Sequence, residues 1–295
     1  MARKHNIIVN VMSPSLCKEA LSLFDSRFIV NFKYKDENAE VIIAKTEIYN
    51  KAVLDDYKKL KLISRMGVGI DNIDIKECKR RNIVVKKLGS ECSHSVVEYV
   101  MCQMIFALRK LRLYDSKSLT EFTKYMGRDL ISSSVGIIGY GNIGSLLASY
   151  LEDKVNTLSV YDIDKNIDIP FNYQSDLECV YKSDIVTFHI PLKEGKVNNT
   201  NLITSKELNQ FKSDAIIINT SRGGIINEGD LANWLTRNPN ATAIIDTWST
   251  EPNINKSGLY YLNNVIKTPH IGAYTSYTRK QMEIASVKNI IDMYE

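Results

Sequence analysis

Residues 134–144 read SVGIIGYGNIG, an apolar strand that runs directly into a glycine-rich turn. The three glycines of the turn fit the pattern GxGxxG, and the residues after it have helical periodicity. In this pattern the first glycine allows a tight turn, the second lets the backbone approach a pyrophosphate, and the third lets the helix pack closely on the strand. The stretch therefore predicts a dinucleotide site at a helix N-terminus. The cofactor residues that it predicts are Gly139, Gly141, Asn142, Ile143 and Gly144.

An acidic residue follows this turn at a matching distance. Residues 158–161 form the next predicted strand, and Asp162 ends it, eighteen residues beyond Gly144. The dinucleotide fingerprint has an acid about 20 residues on, where it accepts hydrogen bonds from the ribose hydroxyls of NAD. Because its charge would repel the 2′-phosphate of NADP, we expect NAD as the cofactor. Asp164 takes this role if the strand ends two residues later.

Short apolar runs alternate with helical patterns along the rest of the chain. The predicted strands are 6–10, 40–44, 62–65, 83–86, 134–138, 158–161, 185–189, 215–219, 243–245 and 265–268. Nearly continuous apolar runs are typical of parallel strands covered on both faces. We therefore predict a doubly wound α/β architecture. A long helix over about 95–111 should follow the first group of strands, and the polar residues 114–129 are the best candidate for a loop or linker.

Composition excludes several classes of protein. The chain has 295 residues, 44% of them hydrophobic and 24% charged, which rules out disordered, collagen-like and disulfide-rich proteins. A formal net charge of +4 is too balanced to favour nucleic-acid or membrane partners. The five cysteines are odd in number and form no CxxC pair, which indicates a reducing compartment and no metal site. Since no apolar run is long enough for a signal peptide or a membrane helix, we expect a soluble, cytoplasmic protein.

Three polar segments in the last third follow predicted strands. They are residues 219–224, 246–252 and 268–273. Open α/β sheets bind ligands at the carboxyl ends of their parallel strands. We therefore expect these three segments to meet near the dinucleotide.

One residue from each segment suits the chemistry of a nicotinamide enzyme that acts on a hydroxy acid. Arg222 offers a planar cationic fork for a carboxylate. The imidazole of His270 could exchange the hydroxyl proton. Glu251 could hold the imidazole in one tautomer and stabilise its charged form. Arg222, Glu251 and His270 are the predicted catalytic residues.

Taken together, these segments resemble the D-isomer-specific 2-hydroxyacid dehydrogenase family, which includes phosphoglycerate dehydrogenase. The resemblance covers nearly the whole chain. Residues 65–74, RMGVGIDNID, are similar to the family's substrate loop, residues 95–98 to the start of its interdomain helix, and residues 189–192, HIPL, to a strand end that contacts the cofactor. The substrate residues that the resemblance implies are Arg65, Gly67, Val68 and Gly69. The further cofactor residues that it implies are His189, Pro191, Thr220 and Asp246.

Lys45 ends a predicted strand of the first domain, as Arg65 does. It is a further candidate for a substrate phosphate or carboxylate. A solvated surface charge is an equally good interpretation.

The resemblance also implies a domain arrangement. A flavodoxin-like substrate domain would comprise residues 1–92, with a C-terminal helix over 274–295 packing back onto it. A Rossmann NAD-binding domain would comprise residues 93–273, and the active site would lie in the cleft between the two. Family members of this kind form homodimers through the nucleotide domain and its interdomain helix.

The implied activity is hydride transfer between NAD and a D-2-hydroxy acid or 2-keto acid, with phosphorylated acids among the candidates. Two alternatives stay open at this point. One is an NAD-responsive, corepressor-like interaction protein of the same fold. The other is a formate- or phosphite-type dehydrogenase.

Overall fold

The computed structural model describes residues 6–32, 35–170, 172–173, 176–194 and 197–295. These residues form two compact units. The first consists of the described residues up to Cys92 together with Thr275–Glu295, and the second is Ser93–Tyr274.

The strands are β1 Ile7–Val11, β2 Phe28–Phe32, β3 Val41–Ala44, β4 Leu62–Arg65, β5 Val84–Lys86, β6 Ser134–Ile138, β7 Thr157–Tyr161, β8 Ile185–Phe188, β9 Lys193–Glu194, β10 Val197–Asn198, β11 Ile216–Asn219, β12 Thr242–Ile245 and β13 Val265–Lys267. The helices are α1 Lys18–Leu21, α2 Lys51–Asp55, α3 Ile75–Arg80, α4 Ser93–Leu108, α5 Ser116–Thr120, α6 Asn142–Leu151, α7 Leu177–Tyr181, α8 Ser205–Leu208, α9 Glu228–Arg237 and α10 Ser276–Tyr294. Short 3₁₀ turns connect several of them.

The sheet of the first unit has the order β2-β1-β3-β4-β5, and its strands pair in parallel. This is the flavodoxin-like order. The strand β2 lies at the edge of the sheet and was not predicted. Its apolar run is only three residues long, because the polar Asn31 follows Val30.

The main sheet of the second unit has the order β13-β12-β11-β8-β6-β7, again with parallel pairing. The chain moves from β6 to β7 on one side and returns to β8 on the other. This reversal places a ligand-binding crevice at the carboxyl end of β6. The two parallel sheets confirm the predicted α/β fold class.

Both faces of this second sheet are buried. Along β6, Ile137 packs into the core beneath α4 and α6, and the next residue, Ile138, packs into the core on the opposite face. Successive side chains of a strand point to opposite faces, so an inner strand covered on both sides must be apolar throughout.

Residues 114–129 are not a linker between the units. They lie within the second unit and contain helix α5, whose first turn is closed by a capping box between Asp115 and Ser118. The side chain of Asp115 accepts the Ser118 N–H, and the Ser118 hydroxyl in turn accepts the Asp115 N–H. Asp115 and Ser118 thus form a helix cap, whereas residues 123–129 belong to no helix or strand and form a loop, as predicted. Among the described residues, no helix is both long enough and apolar enough to cross a membrane.

Candidate active site

The three glycines of the turn after β6 differ in their surroundings: a side chain would clash at two of them and would meet no described atom at the third. Gly139 has a φ of 99°, and a Cβ there would lie 2.5 Å from the carbonyl oxygen of His189. A Cβ on Gly144 would lie 1.9 Å from the Gly139 carbonyl oxygen, so this glycine lets α6 pack on the turn. At Gly141 a Cβ would meet no described atom within 4 Å, and this residue caps the N-terminus of α6. The backbone N–H groups at the start of α6 can therefore be approached by a phosphate.

Asp162 follows β7 directly and is fastened to this turn. Its Oδ2 accepts a hydrogen bond from the N–H of Tyr140 at 2.7 Å, and its Oδ1 accepts one from the N–H of Asp164 at 2.9 Å. The exposed Asp164 instead accepts hydrogen bonds from Asn166. The structure thus places Asp162, not its alternative, beside the glycine-rich turn.

Two buried polar atoms at neighbouring strand ends have no hydrogen-bond partner among the described residues. They are Nδ1 of His189, after β8, and Oγ1 of Thr220, after β11. Burial lowers the pKa of His189 to about 3, so the ring is neutral, and its Nε2 lies 3.1 Å from the Thr187 hydroxyl. Pro191 lies exposed two residues further on. Because unpaired buried polar groups are costly, a ligand that supplies their partners is favoured here.

The turn that carries Arg222 is folded by the buried Asn219. The Asn219 side chain donates to the Arg222 carbonyl at 2.8 Å and accepts from the Ser221 hydroxyl at 2.9 Å. A Cβ on Gly223 would lie 1.9 Å from the carbonyl carbon of Trp248. The absence of a side chain at Gly223 therefore lets the Arg222 turn lie directly against the loop that follows β12.

Glu251 and His270 form a pair. Oε2 of Glu251 lies 3.0 Å from Nδ1 of His270, and Oε1 accepts the backbone N–H of Trp248 at 2.8 Å. Burial alone would raise the pKa of Glu251, but the hydrogen bond and charge of His270, the Trp248 N–H and the charge of Arg222 together lower it. A carboxylate only accepts hydrogen bonds, so Nδ1 carries a proton and Nε2 is the nitrogen that can exchange one.

Asp246 holds the loop that carries His270. It is 0% exposed. Its Oδ1 accepts from the Ile271 N–H at 2.8 Å and the Thr268 hydroxyl at 2.6 Å, and its Oδ2 accepts from the Gly272 N–H at 2.8 Å. Its backbone carbonyl accepts the His270 N–H at 2.8 Å. The carboxylate is therefore engaged with the loop, and the role of Asp246 as a cofactor residue stays a prediction.

Three residues of this site, Trp248, Thr268 and Tyr99, were not singled out individually from the sequence. Trp248 is 3% exposed, and its indole N–H donates to the Thr268 carbonyl at 2.9 Å while its backbone N–H holds Glu251. The third is Tyr99 on α4, whose hydroxyl lies 2.7 Å from that of Thr268. A signal existed for Trp248, because it is one of only two tryptophans and lies inside the segment 246–252. None existed for Tyr99.

In the first unit, Lys45 and Arg65 stand at the ends of neighbouring strands. Arg65 is the last residue of β4 and pairs with the residue before Lys45. The Lys45 ammonium donates to the Ser13 hydroxyl at 2.8 Å. Burial, followed by the charge of Arg279, lowers the pKa of Lys45, although acidic neighbours oppose the shift. Lys45 is thus half-buried, with Arg279 and the carboxylates of Glu283 and Glu47 nearby, and is not a freely solvated surface charge.

The loop after β4 is shaped around the Arg65 side chain. A Cβ on Gly67 would lie 2.3 Å from Nη1 of Arg65, and that nitrogen donates to the Met66 carbonyl at 2.6 Å. Gly67 is buried, and the predicted substrate residues Val68 and Gly69 are partly exposed. Gly67 therefore leaves room for a guanidinium to lie across the loop.

Comparison with known proteins identifies the family. A family model described as D-isomer specific 2-hydroxyacid dehydrogenase, NAD binding domain, matches residues 101–272. The hydroxypyruvate reductase of Thermotoga maritima is 32% identical over 247 residues, which cover 81% of this chain and 79% of the relative. The chain belongs to the D-isomer specific 2-hydroxyacid dehydrogenase family. The resemblance stated from the motifs is thus confirmed.

Other members of the 2-hydroxyacid dehydrogenase family differ in length and in substrate. The D-3-phosphoglycerate dehydrogenase of Archaeoglobus fulgidus is 29% identical over 269 residues, and these cover 86% of this chain but 49% of that relative. The chain therefore spans about half the length of that protein. A solved D-lactate dehydrogenase from Aquifex aeolicus, complexed with NAD and lactic acid, superposes with a TM-score of 0.83 at 23% identity, over 97% of this chain and 95% of that one. At this identity the likeness shows the fold.

Family membership makes this dehydrogenase an oxidoreductase of CH–OH groups with NAD as its cofactor. The residues present fit that cofactor: an open helix N-terminus at Gly141 and orphaned atoms on His189 and Thr220. Within the described ranges, no group of three or more His, Cys, Asp or Glu side chains could hold a metal ion.

We expect Asp162→Ala to weaken NADH binding by roughly 10- to 100-fold, because a hydrogen bond to a charged acceptor contributes about 1.5–3 kcal/mol. The preference for NADH over NADPH should fall as well, since the repelling charge is removed. Fluorescence titration with both cofactors measures each effect. Asp164→Ala is the matched control and should leave both affinities unchanged; an equal loss in the two variants would contradict the role of Asp162.

Proposed function

We propose that this dehydrogenase transfers a hydride between NAD and a D-2-hydroxy acid or its 2-keto acid, with His270 exchanging the hydroxyl proton. The observation that carries the proposal is the 3.0 Å contact between Nδ1 of His270 and Oε2 of Glu251. It fixes the tautomer, and the His270 side chain stays 42% exposed, so its Nε2 can reach a ligand.

In the oxidative direction, Nε2 of His270 takes the hydroxyl proton while the C–H bond of the substrate breaks. The bound NAD supplies the hydride acceptor. Glu251, whose pKa is lowered despite the opposing effect of burial, stays ionised and stabilises the imidazolium that results. In the reductive direction, the same nitrogen returns the proton to the alkoxide oxygen.

Arg222 is the proposed ligand of the substrate carboxylate. Its charge is close enough to lower the pKa of Glu251, which places a cation beside the proton-transfer pair. We assign Arg65, Lys45 and the backbone of Gly67–Gly69 to an anionic group of the substrate, because a strand end with two cations favours an anion. A substrate with a phosphate as well as a carboxylate would use this extra positive charge.

The proposed activity predicts NADH oxidation with at least one acid from a panel of 2-keto acids. The panel consists of glyoxylate, pyruvate, hydroxypyruvate and phosphorylated keto acids, with formate and phosphite assayed in the presence of NAD. We expect turnover with a keto acid, and a lower KM for those with a second anionic group. Turnover with formate or phosphite alone, or with no member of the panel, would contradict the proposed substrate class.

Replacing the proposed base should separate chemistry from cofactor binding. We expect His270→Ala to lower kcat by roughly 10²–10⁴-fold, the range for general acid–base catalysis. NADH affinity should change little, because the site at the glycine-rich turn is built from other residues. Steady-state kinetics and fluorescence titration measure the two effects. His94→Ala, which alters an exposed histidine of α4, is the control; equal kcat in the two variants would rule out the assignment.

The cysteines support a cytoplasmic location, which we propose on their account. None of the five forms a disulfide bond. Disulfides form and persist in oxidising compartments, so cysteines without them are typical of a reducing one.

We further propose that the protein is a homodimer that uses the segment 105–131 of the second unit. Large apolar side chains of this segment are exposed: Ile105, Leu111, Leu119, Phe122, Met126 and Ile131. Phe122 and Met126 are 79% and 88% exposed. Monomers rarely expose so many apolar side chains in one region, and the family resemblance implies a second copy of the chain as the partner.

Light scattering should therefore give twice the chain mass of 33.5 kDa. The double variant Phe122→Asp, Met126→Asp should shift the mass toward that of one chain, because it would bury charges without partners. Asp also tolerates the left-handed backbone of Phe122, whose φ is 52°. Tyr261→Asp, at another exposed aromatic residue, should not change the mass; a monomeric wild type would contradict the proposal.

A further inference from the structure

We propose that Tyr99 and Thr268 are positioning residues for His270 and act through the buried carboxylate of Asp246. The inference rests on the proposed function, in which His270 exchanges the substrate proton. It adds a chain of hydrogen bonds that begins on helix α4 and ends at the loop that carries His270.

The direction of this chain follows from its donors and acceptors. The Thr268 hydroxyl lies 2.6 Å from Oδ1 of Asp246, and because a carboxylate accepts, the single hydroxyl proton of Thr268 points to Asp246. The Tyr99 hydroxyl lies 2.7 Å from the same Thr268 oxygen, so Tyr99 must be the donor in that contact. The sequence of donation is thus Tyr99 to Thr268 to Asp246.

Tyr99 keeps its proton at any pH at which the enzyme would work. Burial raises the pKa of Tyr99 to about 12; the hydrogen bond with Thr268 opposes the shift, and the nearby Asp246 and Cys102 add to it. The phenol therefore stays a donor and keeps the Thr268 proton turned toward the carboxylate.

Helix α4, which carries Tyr99, anchors this series of hydrogen bonds in the core. Val97, Val100 and Met104 anchor α4 in the core of the second unit, each with 0% exposure. On the adjoining side of the helix, a Cβ built on Gly272 would lie 3.8 Å from Val96 and 3.9 Å from Tyr99. The loop thus abuts the helix directly as well as through the hydroxyl chain.

The loop needs this support because of the backbone at its centre. His270 has a φ of 56°, in the left-handed region that disfavours a side chain, and such a conformation persists only where its surroundings determine it. The hydrogen bonds that Asp246 makes on both sides of His270 hold the backbone in this conformation. When a substitution at Tyr99 or Thr268 removes one of these hydrogen bonds, the loop can relax and the imidazole can turn away from Glu251.

The kinetic test uses Tyr99→Phe, Thr268→Val and the double variant. Each single substitution should lower kcat by about tenfold, the effect of losing one hydrogen bond of ordinary strength, with KM and NADH affinity within about twofold. The double variant should be no slower than Thr268→Val, because Tyr99 acts only through Thr268. Thr268→Ser restores the hydroxyl and should restore most of kcat. Additive losses, an equal rise in KM, or no loss at all would overturn the proposal.

A second measurement does not depend on turnover. Hydrogen exchange at the Ile271 and Gly272 amides, both donors to Asp246, should accelerate in Tyr99→Phe. Tyr181→Phe, at a buried tyrosine on α7, is the matched control and should leave these amides protected. Unchanged exchange in Tyr99→Phe would overturn the positioning role. If the wild type turned over no acid, the proposed function would fail, and this exchange experiment would still decide the role of Tyr99.

Discussion

The buried carboxylate of Asp246 is the contact on which the geometry of the site depends. It lies at the end of β12 with no exposure to solvent, and its hydrogen bonds reach loop residues on both sides of His270. A buried charge is tolerated only where its hydrogen bonds are satisfied. The loop supplies the donors that the carboxylate needs, and the carboxylate in turn holds the loop in place. The carboxyl end of β12 and the loop that carries His270 are thereby joined by hydrogen bonds.

Trp248 connects the loop of His270 to Glu251 and to the turn that carries Arg222. Its backbone N–H holds Glu251, its indole N–H holds the carbonyl of Thr268, and its peptide carbon lies where a Gly223 side chain would be. One buried aromatic residue thus contacts the turn of Arg222, the carboxylate partner and the histidine loop. The proposed catalytic residues are therefore connected through one residue, whose backbone contacts two of the segments and whose indole contacts the third.

Sequence could predict those parts of the fold and the site that produce a recognisable pattern within a few neighbouring residues. The glycine-rich turn, Asp162 and the inner strands follow from spacing and continuous burial over a few residues. The strand β2 was not predicted in this way, because its apolar run ends at Asn31 after three residues. The contact of Tyr99 with Thr268 spans 169 residues of sequence, and no local pattern reports a pairing at that separation.

The neutral ring of His189 has a consequence for the energetics of cofactor binding. With a pKa of about 3, this imidazole is neutral throughout the physiological pH range. By linkage, a group that does not change protonation on binding adds no pH dependence to the affinity. A histidine beside the phosphate-binding turn would ordinarily make cofactor uptake sensitive to acidity. Here burial uncouples the two, so a change in cellular pH acts on catalysis without a contribution from this residue to cofactor occupancy.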